Sequence, residues 1–336
     1  MTDIKTKLEV FDAIEHRRTE RRAFLRYAGG GVAAVGGLSL LAACGDDDDN
    51  GTVSPTPTPT PTATASTAVG DADVLNFALN LEYLEAQFYS FAAFGVGLDA
   101  SLLTGLGTQG AVTGGAQVPF DTTNTVVRDY AREIALDEIA HVRFLRSALG
   151  SAAVAQPAID IRGGAGGPFA AAATAAFGAA AGGSFNPYAD ETSFLYGAFI
   201  FEDVGVTAYK GASPLLTNKT YLGAAAGILA AEAYHAGLIR TALYGRGLAT
   251  PSIRTNTDLI SNARDSLDGA SDDDQGITGD ATTSNIVPAD ANGIAYSRNT
   301  NQVLHIVYLN AAAGTTGGGF FPNGVNGFIR TAAANP

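Results

Sequence analysis

The chain has 336 residues, 46% of them apolar and only 16% charged, enough for one well-buried core with appendages but not for several large domains. Its 20 Lys+Arg against 33 Asp+Glu give a net charge of −13, and because seven basic and five acidic residues precede Cys44, 13 basic face 28 acidic residues from there on. That balance repels phosphate backbones, which excludes nucleic acid as a partner, and a single cysteine excludes a disulfide framework or a Cys-rich zinc or iron–sulfur site.

The first segment reads as an address. Arg21-Arg22-Ala23-Phe24-Leu25-Arg26 precedes a mildly apolar, Gly/Ala-rich run over residues 27–43, and Leu41-Ala42-Ala43-Cys44 closes it. Residues 1–44 resemble a twin-arginine export signal ending in a lipoprotein box, which makes Cys44 the lipidation site. A short membrane span is the competing reading, but the run lies at the low limit of spanning length. The expected location is the periplasmic or another extracytoplasmic face, with a membrane as partner through the lipid at Cys44. Residues 45–70, with acids at 46–49 and a Pro-Thr repeat at 55–62, have nothing to bury and read as a disordered, semi-rigid tether.

From about Asp71, four segments place apolar residues at alternating steps of three and four, the spacing of one buried helical face. Residues 71–94 carry Val74, Phe77, Leu81, Leu84, Phe88 and Phe91, and residues 123–149 carry Val127, Tyr130, Ile134, Glu138, His141, Leu145 and Ala148. In residues 190–211, Leu195 and Phe199 lead to Glu202, Val206 and Tyr209; in residues 219–247, Ala225 and Ile228 lead to Glu232, His235, Ile239 and Ala242. Glutamates and histidines thus stand inside stripes meant for the core. A lone buried carboxylate is costly unless it is paired, protonated or bound to a cation.

The spacing supplies a reason. Glu138-x-x-His141 and Glu232-x-x-His235 place carboxylate and imidazole one turn apart on the same face, where both reach an interhelical metal. Residues 138–149 (EIAHVRFLRSAL) and 232–243 (EAYHAGLIRTAL) share Glu, His, Arg and Ala-Leu at equal offsets. Glu82 precedes Tyr89 by the same seven residues that separate Glu202 from Tyr209. This is an internal duplication of a helical hairpin. Glu202 and Glu232 lie 30 residues apart, room for a helix out, a turn near Pro214 and a helix back. A Gly/Thr-rich insert at 95–122 lengthens the first hairpin, and the Gly/Ala-rich residues 150–189 suit a long crossover. The expected fold is all-α: a four-helix bundle over 71–249, then a mostly irregular extension over 250–336 packed on it, with one helical stretch at 298–312 and Phe320 and Phe321 as anchors.

One Glu, then Glu-x-x-His, repeated once, resembles the ferritin-like di-metal carboxylate superfamily, which includes bacterioferritin, rubrerythrin and manganese catalase. Residues 75–89 (LNFALNLEYLEAQFY) and 320–327 (FFPNGVNG) are similar to the exported ferritin-like family that includes plant desiccation-related proteins. The resemblance implies a ferritin-like bundle holding two divalent metal ions, with Glu82 and Glu202 as terminal ligands, Glu138 and Glu232 as bridging ligands, and His141 and His235 as nitrogen ligands. Iron or manganese suits that mixed donor set, and four carboxylates neutralise two dications. Tyr89, Tyr209 and Asp137 would support the ligands; the duplicate of Asp137 is Ala231, so the two metals should differ. Glu85, one turn from Glu82, is either a supporting residue or the ligand in its place. Glu82 is preferred because it alone repeats the offset to tyrosine.

Other residues carry less. The competing account of the Glu-x-x-His pairs, a surface ion pair, sits poorly with their place in the apolar stripe. His305 lacks an acidic partner at helical spacing and reads as a packing or surface histidine. Asp272, Asp273 and Asp274 lack calcium-loop spacing and read as a solvated loop. Arg146 and Arg240 read as helix-end ion-pair partners. The function implied is a membrane-tethered di-iron or di-manganese protein reactive toward O2 or peroxide, an oxidant scavenger or ferroxidase-type oxidoreductase. The alternatives are a non-enzymatic stress- or desiccation-associated structural protein and an accessory subunit of a membrane complex; a homo-oligomer is a further expected partner. A closed storage cage is disfavoured by the tether and the extension.

Overall fold

The computed structural model describes residues 69–334; the export signal, Cys44 and nearly all of the tether lie outside the described residues. Its helices are α1 (Asp71–Phe94), α2 (Val126–Leu149), α3 (Pro168–Phe177), α4 (Ala179–Gly182), α5 (Glu191–Ala212), α6 (Lys219–Ala249), α7 (Ser252–Asp268) and α8 (Thr300–Val307). A small parallel sheet pairs β1 (Val112–Gly114) with β2 (Ile159–Ile161), Val112 opposite Ile159. Helix α1 packs along α2 and α5 along α6; the two hairpins meet through the α1–α5 and α2–α6 edges. This is an all-α, ferritin-like bundle.

Local chemistry sets the helix ends. Asp190 caps α5 by accepting from the Thr192 and Ser193 amides at 2.8 and 2.9 Å. Asn218 does the same for α6 from Thr220 at 2.8 Å, each cap contributing about 1 kcal/mol. Asp71 accepts from the Thr217 and Asn218 amides at 2.8 and 2.9 Å, fastening the start of α1 to the α5–α6 turn. Those backbone donors hold its carboxyl below the usual range. Gly95 ends α1 in the left-handed conformation at φ 73°, which a side chain would strain.

Helix α1 is buried on nearly every side, because loops cover the face turned away from the bundle. They satisfy its polar residues: Asn76 donates to the Ala152 carbonyl at 3.0 Å, Tyr83 to the Leu102 carbonyl at 2.8 Å, and Gln87 to the Gln156 side-chain oxygen at 2.6 Å. Asn80 donates to the Asn326 carbonyl at 2.9 Å and accepts from its amide at 3.0 Å. The tail is fixed further by Phe320, whose ring lies 5.1 Å from Phe169 and 4.9 Å from Phe201. Phe88 meets the same two rings at 5.3 and 5.4 Å. One aromatic nest therefore joins both hairpins, the crossover and the tail, each pair adding about 0.5–1.5 kcal/mol beyond the area buried.

Several expectations change. The crossover is not a plain link, since it carries β2, α3 and α4. The segment after Thr250 opens with the 17-residue helix α7 rather than irregular chain; of its buried residues Thr257, Ile260, Ser261, Arg264 and Asp268 only Ile260 is apolar, so its apolar stripe, completed by the half-buried Ile253 and Leu267, is thin. Asp274 is 1% exposed rather than solvated, pairing with Arg264 at 2.9 Å and Arg298 at 2.6 Å. Arg240 forms the expected ion pair, but from the interior of α6 rather than its end. Fully buried, it binds Asp203 at 2.7 Å, and Arg264 reaches the same carboxylate oxygen at 3.1 Å. Arg146 donates instead to the Tyr83 hydroxyl and the Thr104 carbonyl, both at 2.6 Å. His305 is a buried packing residue with its ring nitrogens 2.6 and 2.8 Å from the Asn310 and Ala333 carbonyls. Helix α6 is long and apolar enough to cross a membrane by length and composition, but here it is a bundle wall whose inner face carries Glu232, His235 and Arg240.

Candidate metal centre

The helical phase that buries the apolar stripes brings six donor side chains into the middle of the bundle. Glu82 comes from α1, Glu138 and His141 from α2, Glu202 from α5, and Glu232 and His235 from α6. All six are buried. Their ligand atoms form two groups, Glu82, Glu138, His141 and Glu232 in one and Glu138, Glu202 and His235 in the other, with every atom of a group within 4.8 Å of the rest. Glu138 contributes to both groups and Glu232 to the first.

His141 Nδ1 lies 3.2 Å from Glu82 Oε2 and 3.5 Å from oxygens of Glu138 and Glu232. His235 Nδ1 lies 3.1 Å from Glu138 Oε1 and 3.6 Å from Glu202 Oε2. Donors about 2.1 Å from a common cation would stand roughly 3.0–3.4 Å apart at tetrahedral to octahedral angles, so the spacing fits.

Unpaired atoms strengthen the fit. Both oxygens of Glu138, both of Glu232, Oε2 of Glu202 and Nδ1 of His235 are buried without a hydrogen-bond partner. His235 Nδ1 is close to Glu138, yet its geometry makes no hydrogen bond. Buried polar atoms are nearly always satisfied, and this concentration of exceptions in one interhelical space is the arrangement that hard, oxygen-seeking dications complete.

Charge follows from burial. Desolvation pushes Glu82 up to about 7 against the pull of His141, and it drives Glu232 and Glu85 well above the ordinary range with help from neighbouring carboxylates. Desolvation raises Glu202 as well. Burial opposes ionisation of Glu138 too, but the two imidazoles prevail and hold it low. Burial disfavours charge on both histidines, and the surrounding glutamates override it and raise them. The cluster without cations must therefore retain protons, which binding of dications would expel.

Supporting residues stand around this cluster. The Tyr89 hydroxyl donates to Glu202 and the Tyr209 hydroxyl to Glu82, each bond crossing from one hairpin to the other. Both phenols are pushed well up by burial, then by those glutamates. Asp137 faces His235 across the α2–α6 edge, Oδ2 to Nε2 at 3.5 Å. Glu85 is buried but belongs to neither donor group among the described residues.

Two contributors were not singled out from sequence. At Gly205 a Cβ would stand 2.4 Å from Glu232 Oε2 and 3.4 Å from Glu85 Oε1, so only a residue without a side chain leaves Glu232 its place. The available signal was its position three residues after Glu202, the duplicate of Glu85. Asp203, beside Glu202, anchors Arg240 and Arg264 behind α5; nothing local to its sequence announces partners 37 and 61 residues away.

A four-helix bundle enclosing paired carboxylate–imidazole groups is a ferritin-like protein whose centre is compatible with divalent metal. Its family follows: the profile described as Ferritin-like domain matches residues 70–245, and the chain belongs to that family. The ferritin-like catalase Nec2 of Nesocodon mauritianus is 30% identical over 271 residues, covering 77% of this chain and 84% of that protein. The desiccation-related protein PCC13-62 of Craterostigma plantagineum is 31% identical over 250 residues, 70% of this chain and 76% of that protein.

Proposed function

We propose that the chain is an exported, membrane-tethered protein that binds two divalent ions of iron or manganese through Glu82, Glu138, His141, Glu202, Glu232 and His235 and reacts with peroxide or O2. The observation that carries this reading is the set of buried, unpaired carboxylate oxygens around one interhelical space. When bound, the ions would supply the redox chemistry toward peroxide or O2. The chain's own residues do the rest. Tyr89 and Tyr209 fix the outer oxygens of Glu202 and Glu82. Asp137 faces the ring nitrogen of His235 remote from the cluster and orients that imidazole. The aromatic nest over α1 and α5 keeps bulk water from that side.

The name catalase borne by one relative supports peroxide as the oxidant, with two hydrogen peroxide molecules giving two waters and dioxygen. A second reading, in which the ions only hold the bundle together, is favoured by the desiccation-related name of the other. Full-length protein purified from membranes decides between them. Elemental analysis should find two ions of iron or manganese per chain, mass spectrometry a lipid on Cys44, and oxygen-electrode assays consumption of peroxide or O2. Two bound ions without turnover would leave the structural reading standing, and absence of iron and manganese would overturn the proposal.

A further inference from the structure

The α1–α5 edge of the bundle leads into two voids that share a wall. The inner one, about 20 Å³, is lined by Leu81, Leu84, Glu85, Val204, Gly205 and Phe320 among others. The outer one, about 130 Å³, lies among α3, α7 and α8, with Phe177, Ile260 and Leu267 beside the ring of Tyr196 and the buried Arg264 in its walls and the exposed Ala171 and Ala175 at its rim. Ile200 of α5 and Ile306 of α8 line both and are themselves buried. Protein interiors rarely hold voids larger than a water; the outer one is, and the inner one, with room for about one water, reaches the acidic cluster through Glu85 and Gly205. Beside the inner one, Gly205 is the position whose missing Cβ would touch Glu232.

We infer that the two voids form an apolar conduit for dioxygen between solvent and the carboxylate cluster, with Ile200 and Ile306 as the partition it crosses. The inference rests on the oxidant-reactive reading above, in which dioxygen is either the oxidant consumed or the product of peroxide dismutation. Size and polarity select the guest. The inner void has room for one small molecule, and a water held there needs two to four polar partners, whereas Glu85 is the sole polar side chain in its lining. A weakly polar diatomic gas needs none. Peroxide, cations and protons have the other edge of the bundle, between α2 and α6, where the side chains of His141 and Asp137 are 11% and 24% exposed. Isoleucine suits a partition because its β-branched side chain holds few rotamers, so the wall is defined in shape.

Two measurements test the conduit. Crystals of the full-length, metal-free protein under xenon should show the gas in both voids, and Ile200→Phe should keep it in the outer void while excluding it from the inner one. In stopped flow, the anaerobically loaded and reduced protein should react with O2 roughly tenfold more slowly in Ile200→Phe or Ile306→Phe, the effect of overpacking a wall that must open. Metal content should be unchanged, and the milder Ile306→Val should react faster than the parent. Xenon absent from the inner void, or an O2 rate indifferent to all three substitutions, would overturn the conduit. Xenon in both voids of a loaded protein that turns over neither oxidant would support the conduit and overturn the oxidant-reactive reading.

Discussion

Replacing Glu138 by glutamine keeps the side-chain volume and removes the one carboxylate that contributes to both donor groups. With four ionised glutamates and two dications the centre is neutral; with three it retains a positive charge in a buried space, and each ion loses an anionic donor. The loss should exceed the 10–100-fold that removing a merely supporting partner costs in metal affinity. In the parent, Mn(II) at about 100 times its dissociation constant should stabilise by about 2.7 kcal/mol, roughly 5–11 °C for a domain of this size. In Glu138→Gln that gain should vanish. The metal-free melting temperature should fall as well, because the two imidazoles that hold Glu138 ionised lose an anionic partner, so the test reads the Mn(II)-induced gain and not the absolute temperature. Thermal melts with and without Mn(II), paired with elemental analysis after desalting, make the measurement. Two retained ions and an undiminished thermal gain would refute the argument that these acids persist in the core because cations neutralise them.

Other outcomes follow from the same geometry. Gly205→Ala improves helix propensity by about 1 kcal/mol but drives a methyl to 2.4 Å from Glu232 Oε2; it should leave the helix content intact while reducing bound metal, read by circular dichroism and elemental analysis. Tyr209→Phe removes the hydroxyl that holds Glu82 and should weaken Mn(II) binding by about 10–100-fold without abolishing it, measured by calorimetric titration. Glu82 is raised above its unfolded value of 4.5 to about 7. Its contribution to the stability of the metal-free protein is therefore complete below about 4.5 and is lost as pH rises through about 7. Across that window, added Mn(II) should bind more tightly, releasing fewer protons as pH rises, which titration in buffers of different ionisation enthalpy would show. Asp203→Ala strands the buried guanidinium of Arg240, while Arg264 keeps its pair with Asp274, and should cost about 3–5 kcal/mol, roughly 6–20 °C in melting temperature. A shift of only a degree or two would mean that water or another group takes over the pairing.

The four bundle helices were legible because each buries an apolar stripe against another, and a stripe is a local property of sequence. The convergence of Glu82, Glu138, His141, Glu202, Glu232 and His235 was legible for the opposite reason: acids and imidazoles stood where the stripe demanded apolar side chains, in a pattern repeated by duplication. Helix α7 is hard to read because polar residues interrupt its sparse apolar face of Ile253, Ile260 and Leu267, and its ion pairs, Arg264 meeting Asp203 from α5 and Asp274 from a following loop, leave no periodic trace. The burial of Asp274 is hidden on the same ground, since a run of acids looks solvated until its arginines are found. The all-round burial of α1 was also hidden, because Asn76, Asn80 and Gln87 look like an outer face until distant loops supply their hydrogen-bond partners. Gly205 acts by omission, and a missing side chain carries no chemical label.

The exchanged tyrosine–glutamate bonds bear on ancestry. Tyr89 from the first half steadies an acid of the second, and Tyr209 returns the favour. Neither half alone possesses a finished constellation, so a single-hairpin forebear would have needed a twin, face to face, before any gene fusion joined the pair into one polypeptide. Fusion then freed the copies to diverge, and the difference between Asp137 and Ala231 at matching positions is a mark of that freedom.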